Sequence, residues 1–401
     1  MRTTKSRALV PLLLAVGLLA AACSSNTSSS TTTTSGGSSG GATVSVATFN
    51  KNFTTMANLK SVMSAGKGKI AVILPDTVSS ARYTEFDAPY LAKAFSSAGL
   101  STSDTIIQNA QGSDSTQLTD AQSDITSGAS VLVVDPLDAG VGTSIESYAT
   151  AHGVPVVDYD RLVLGGSRKY YVSFDNVKVG TLIGNGMTSC VASWKVATPT
   201  LAVMVGSPTD NNATLFAQGY NAVLKPLVSG GTYKVVANPA GTWDPPTALT
   251  EFQQAYTANP TMNAVLVPND ENAAPIISYL KTLNIPAKKF PVTGQDATLV
   301  GLQNVISGYQ CGTAYKPIYL EAQAAAALAL YLRAGQSPPA VLVNGSVKDT
   351  TANVSVPSSL LIPEWVIPTN VQSTVVADGF VPASQLCAGA YAADCTTYGI
   401  H

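Results

Sequence analysis

The stretch LAVMVGSPTDNNATLFAQGY, residues 201–220, decides the fold. Its first five residues, Leu201 to Val205, are all apolar, as expected for a strand buried on both faces of a parallel sheet. Short polar side chains then crowd together at Ser207, Thr209, Asp210, Asn211 and Asn212, and a helical pattern begins at Ala213. Asp and Asn favour turns and helix N-caps, so the cluster reads at least as the turn between a strand and a helix. It also reads as a polar cradle for a ligand with many hydroxyls, because open α/β sheets bind ligands beyond the carboxyl ends of their strands.

The same unit recurs along the chain. Apolar runs stand at Ile70–Leu74, Val131–Val134, Val154–Val157, Tyr170–Val172, Tyr233–Val236, Ala264–Val267 and Phe290–Val292. Helical spacing fills intervals such as Tyr90–Ala98, Ala213–Leu227 and Ala273–Leu283. Alternation of this kind predicts an α/β protein with doubly wound sheets. Segment 44–401 is longer than the roughly 250–300 residues one core sustains, so two Rossmann-like lobes are expected. Polar clusters follow the runs: Asp76 with Arg82 and Tyr83, Asp135, Asp158 with Asp160 and Arg161, Asp210 with Asn212, Asn269 with Asp270, and Gln295 with Asp296. Polar strand ends from both halves predict a cleft between the lobes.

The N-terminus reads as an export signal. Arg2, Lys5 and Arg7 precede the apolar run Ala8–Ala22, too short to span a bilayer comfortably. Ala20, Ala21 and Ala22 lead into Cys23 as in a bacterial lipobox, although Leu19 lies one place further upstream than usual. Residues 1–23 are therefore read as a lipoprotein signal with Cys23 as the lipidated residue, and the Ser/Thr/Gly-rich segment 24–43 as a tether. An ordinary cleaved signal is the alternative. Net charge is −2 and only 11% of residues are charged, so nothing supports nucleic-acid binding. After export four cysteines remain, Cys190, Cys311, Cys387 and Cys395, and an even number in an oxidising compartment points to disulfides. Of three connectivities, Cys387–Cys395 with Cys190–Cys311 is favoured; free buried thiols are the alternative.

Five further segments come in order: Tyr159-Asp160-Arg161, Ser173-Phe174-Asp175-Asn176, Gly206 to Ala213, Gly294-Gln295-Asp296-Ala297 and Tyr315-Lys316-Pro317. Over about residues 69–386 the chain resembles the periplasmic D-xylose-binding proteins, the substrate-binding components of ABC sugar importers. The resemblance implies two lobes joined by three crossovers, near Phe174-Asp175, near Lys316-Pro317 and near residue 340. Lobe 1 would be 44–174 plus 317–339, and lobe 2 would be 175–316 plus 340–401 with the C-terminal tail. It implies sugar contacts at Arg82, Tyr83, Asp160, Arg161, Asp210, Asn212, Trp243, Asn269, Asp296 and Lys316, with Tyr83 and Trp243 as the stacking aromatics. Tyr83 stands where the family carries Trp, and the segment Thr77–Ala81 differs by one inserted residue; both departures bear on which sugar binds.

These residue types suit a pyranose. Each ring hydroxyl both donates and accepts, a carboxylate accepts from two neighbours, and Arg or Asn donates to them. The resemblance implies a tethered, extracytoplasmic, monomeric lipoprotein that closes on a monosaccharide and delivers it to an ABC permease and its ATPase subunit, with no cofactor. D-Xylose is the first expectation, another aldopyranose such as glucose the second. A sensor presenting sugar to a membrane receptor is a third. An enzyme is disfavoured: there are two histidines, His152 and His401, and no GxSxG with a matching histidine and acid, CxxC, HExxH or Walker A motif. No Asp-rich loop has EF-hand spacing, so no metal is expected. A repressor's effector domain would begin with a DNA-binding helix pair rather than an export signal.

Overall fold

The computed structural model describes residues 44–401; the proposed signal with Cys23 and the tether 24–43 lie outside the described residues. Thirteen strands are present among the described residues. β1 (Lys69–Leu74), β2 (Thr105–Asn109), β3 (Ala129–Val134), β4 (Val156–Tyr159) and β5 (Tyr170–Phe174) pair in parallel in the first half. β6 (Thr200–Val203), β7 (Lys234–Ala237), β8 (Ala264–Leu266), β9 (Gly294–Gln295) and β10 (Thr313–Tyr315) follow. β11 (Gly345–Asp349), β12 (Val354–Leu361) and β13 (Glu364–Val366) complete the set.

The first sheet has the order β11-β12-β5-β4-β3-β1-β2. The second is built from β7-β6-β8 and β13-β10-β9, joined through a single bridge between Val265 and Val292. This arrangement corrects one boundary. β12 pairs with β5 through Ser358↔Tyr171 to Leu361↔Phe174, so residues 345–361 belong to the first sheet. The chain passes to the second sheet between Leu361 and Glu364, where β13 runs antiparallel to β10, and not near residue 340. The signal for this was weak because β11, GSVKD, is largely polar and β12, VSVPSSLL, is broken by serines and a proline, so neither reads as a continuous buried strand. The run Phe290–Val292 likewise makes only the one bridge, and the strand there is Gly294–Gln295.

Helices cover both faces. Helix Ile318–Arg333, IYLEAQAAAALALYLR, is buried along most of its length and packs beneath β3, β4 and β5. Its alanines let the sheet approach closely, and their burial adds apolar area at about 25 cal/mol per Å². In the second half, helices Asn176–Ser193 and Asn211–Ser229 pack against each other. Gly180 and Gly219 permit this: a Cβ on Gly180 would sit 2.0 Å from the Phe216 carbonyl oxygen, and one on Gly219 2.2 Å from that of Val177. Asp210 caps the second of these helices by accepting from the Asn212 N–H at 2.9 Å. Cys190 is bonded to Cys311 and Cys387 to Cys395.

Candidate functional site

The polar strand ends converge. Arg82, Tyr83, Asp160, Arg161, Asp210, Asn212, Trp243, Asn269, Asp296 and Lys316 all line one cavity, together with Ser79, Ser80, Phe216 and Gln295. The cavity has a volume of about 310 Å³, part of it open to solvent. Every one of the ten is more than nine-tenths buried except Trp243.

Local structure explains the placement. Arg82 opens a helix that widens at once into a π-helical turn, Tyr83–Asp87. Such a turn carries one residue more than the α-helix around it and occurs often at functional sites. Asp160 follows the end of β4 with φ of 56°, and Asp296 follows β9 with φ of 89°. Backbone strain in this left-handed region is characteristic of ligand sites, and Asp tolerates it better than most residues.

The charges form one network. Arg82 Nη1 donates to Asp160 Oδ1 at 2.9 Å, Nε and Nη2 donate to Asp87 at 2.9 and 2.7 Å, and Nη2 also meets Glu321 at 2.6 Å. Tyr159 OH donates to Asp87 as well. Tyr83 OH donates to Asp160 Oδ2 at 3.2 Å and accepts from Arg161 Nη2 at 3.0 Å. Arg161 Nε lies 3.7 Å from both Asp135 and Asp210. Lys316 Nζ is 3.0 Å from Asp296 and 4.0 Å from Asp160. Trp243 Nε1 donates to Asp210 Oδ2 at 2.9 Å, and Asn212 Nδ2 donates to the Asp160 carbonyl at 2.9 Å. Asp160 and Arg161, adjacent in sequence, are thus not a surface ion pair; each faces partners from other elements.

Three cations, Arg82, Arg161 and Lys316, meet six carboxyl groups: Asp87, Asp135, Asp160, Asp210, Asp296 and Glu321. The imbalance and burial divide the acids. Burial opposes ionisation at Asp160, but Arg82, Lys316 and Arg161 together pull it down to about 2. Burial pushes Glu321 up to about 8, with Arg82 opposing and Asp160 and Asp87 reinforcing. Burial also raises Asp135 and Asp210, each partly offset by Arg161. The site therefore offers a charged acceptor in Asp160, while burial makes the neighbouring Asp135, Asp210 and Glu321 harder to ionise.

The two halves also touch directly. Ser80 Oγ and the Ala81 N–H donate to Glu271 Oε1 at 2.9 and 3.1 Å, and Asn269 Nδ2 donates to the Ser79 carbonyl at 3.3 Å. Sequence reasoning missed Ser79, Ser80 and Phe216 as lining residues, placed Gln295 among the polar strand ends but not among the contacts, and missed the supporting acids Asp87, Glu271 and Glu321. Asp87 and Glu321 sit within helical runs, where no strand-end rule points to them. Gln295 Oε1 is buried without a partner among the described residues, and the signal that could have found it is its place beside Asp296. Among the described residues no group of His, Cys, Asp and Glu could hold a metal ion, and no helix is long and apolar enough to cross a membrane.

Two α/β halves linked by crossovers, with a polar cavity at the facing strand ends, define the type I periplasmic binding protein fold. Residues 70–337 match the family model described as periplasmic binding protein domain. The chain is 37% identical over 283 residues to the D-xylose-binding periplasmic protein of Escherichia coli K12, covering 70% of this chain and 82% of that protein. It is 31% identical over 338 residues to the multiple sugar-binding periplasmic receptor ChvE of Rhizobium radiobacter, covering 80% and 93%. A carbohydrate transporter solute-binding protein of Chloroflexus aurantiacus, solved with D-glucose, superposes with a TM-score of 0.69 at 25% identity, covering 79% of this chain and 97% of that one. The chain belongs to the periplasmic binding protein family, in the group that contains the periplasmic D-xylose-binding proteins.

Proposed function

We propose that this protein is the extracytoplasmic sugar-binding component of an ABC importer, and that its ligand is an aldopyranose, D-xylose first. The observation that carries the proposal is the convergence of Arg82, Asp160, Arg161, Asp210, Asp296 and Lys316 from both halves on one buried cavity beside Tyr83 and Trp243. Carboxylates and amides would take the ring hydroxyls, and the two aromatics the apolar C–H faces. Hydrogen bonds to charged groups contribute about 1.5–3 kcal/mol each, and a micromolar sugar needs about 8 kcal/mol, so a few suffice beyond the ordering cost. Opening and closing of the lobes about the crossovers would admit and trap the sugar, and the closed shape would be what a permease recognises. The same reading makes the protein a monomer, held to the outer face of the membrane through lipid on Cys23, with no catalytic role and an ATPase subunit supplying the energy.

A second sugar has specific support. Tyr83 is smaller than the Trp carried by the D-xylose-binding proteins it resembles, and the Chloroflexus aurantiacus relative was solved with D-glucose. Isothermal titration calorimetry against xylose, arabinose, ribose, glucose, galactose and allose tests both readings. Micromolar binding of xylose with glucose at least tenfold weaker supports the first; the reverse order supports the second. No heat from any of the six refutes the sugar reading.

A further inference from the structure

We propose that the C-terminal segment Val371–Val381 is a strap that holds the two lobes in the arrangement described above, with Phe380 and Asp378 as positioning residues for the cavity. That the cavity takes a sugar rests on the function proposed above; the strap itself does not. After β13 the chain belongs to the second half, and the tail helices Ala383–Leu386 and Ala392–Tyr398 pack on helix Leu299–Ile306 there. The bond between Cys387 and Cys395 ties these two tail helices together.

From this anchor the strap reaches back to the first half. The Phe380 ring stacks on Phe86 with centroids 3.8 Å apart and planes 15° apart. Phe86 lies inside the π-helical turn that begins at Tyr83 and follows Arg82. The other side of Phe380 meets Tyr315 edge-on at 5.0 Å, and Tyr315 precedes Lys316. One ring thus contacts both the turn that follows Arg82 and begins at Tyr83 and the strand that leads into Lys316. Two residues earlier, Asp378 Oδ2 accepts from Tyr315 OH at 3.1 Å and from Tyr319 OH at 3.0 Å. Those tyrosines flank the Lys316-Pro317 crossover. Lys51 Nζ, from the first half, donates to the Ala377 carbonyl. Rotation of one half away from the other must slide the Phe86–Phe380 stack or detach Asp378, so the strap opposes opening.

The test uses the full mature chain with Phe380→Ala, Phe380→Leu, Phe380→Tyr and Asp378→Asn. Stopped-flow binding of D-xylose, or of the best sugar found by calorimetry, gives the two rate constants. Small-angle X-ray scattering of the sugar-free protein gives the distribution of open and closed shapes. The expected result is a dissociation rate raised at least tenfold in Phe380→Ala, an association rate within about threefold of the parent, and a larger radius of gyration. Phe380→Tyr keeps the stack and should restore all three readouts. A purely structural role would lower the melting temperature and leave the rate ratio and the scattering curve alone. Parent-like dissociation and scattering in both Phe380→Leu and Asp378→Asn overturn the proposal. If the parent binds no sugar, the function above fails, and the scattering comparison still decides the strap.

Discussion

Asp160→Asn is the sharpest single perturbation of the cavity. The substitution keeps the shape and the left-handed backbone, which Asn adopts readily. It removes one negative charge 2.9 Å from Arg82 Nη1, 3.2 Å from Tyr83 OH and 4.0 Å from Lys316. Breaking a buried pair outright costs about 3–5 kcal/mol. Here Arg82 keeps Asp87 and Glu321, and Lys316 keeps Asp296, so neither cation is stranded. The loss in sugar binding is then that of a charged acceptor, about 2 kcal/mol, or roughly 30-fold in affinity. Stability changes by linkage. The folded value of about 2 lies below the ordinary one of 3.8, so Asp160 stabilises the fold above about pH 4 and loses that contribution as pH falls through 2. Two units correspond to about 2–3 kcal/mol, which Asp160→Asn removes at neutral pH. Calorimetry at 25 °C gives the affinity, and thermal unfolding between pH 2 and 7 gives the stability. If Asp160→Asn binds the best sugar within threefold of the parent, the assignment of Asp160 as a sugar contact is wrong.

Four more outcomes are expected. Asp210→Ala and Trp243→Ala each lower sugar affinity by at least ~2 kcal/mol with the fold retained, since the pair is joined by a 2.9 Å hydrogen bond at the cavity wall; parent-like affinity in both would remove them from the site. Burial first, with Asp296 and Asp270 adding to it, pushes Glu271 up to about 8, well above the ordinary 4.5. Its folded form binds the proton more tightly than the unfolded one, so its contribution is largest below about pH 4, declines as pH rises and is gone above about 8. Glu271→Gln should therefore flatten the fall of melting temperature between pH 5 and 8.5, and an unchanged slope would count against a protonated Ser80–Glu271 contact. The bond between Cys190 and Cys311 closes a loop of 121 residues and that between Cys387 and Cys395 one of 8. Chain entropy gives about 5 and 2.5 kcal/mol respectively, so the Cys190→Ser, Cys311→Ser double variant should unfold at clearly lower denaturant than its tail counterpart.

Sequence by itself determined the α/β class, because continuous apolar runs alternating with helical spacing leave few other architectures. Short polar groups at strand ends carry a local signature, as Asp210 and Asn212 do after Leu201–Val205 and Asp296 after Gly294-Gln295, whereas Trp243 and Lys316 were implied only by the ordered resemblance; all ten line the cavity. What the sequence did not reveal depends on pairing at a distance. β11 is largely polar and β12 is broken by serines and Pro357, and only the register Ser358↔Tyr171 assigns them to the first sheet. Asp87 and Glu321 look like ordinary helix residues until folding brings Arg82 Nη2 within 2.7 and 2.6 Å of them. The charges of these acids are likewise properties of the assembled site: burial pushes Glu321 up to about 8, whereas Arg82, Lys316 and Arg161 pull Asp160 down to about 2 against its burial, and neither effect exists until both halves enclose the same cavity.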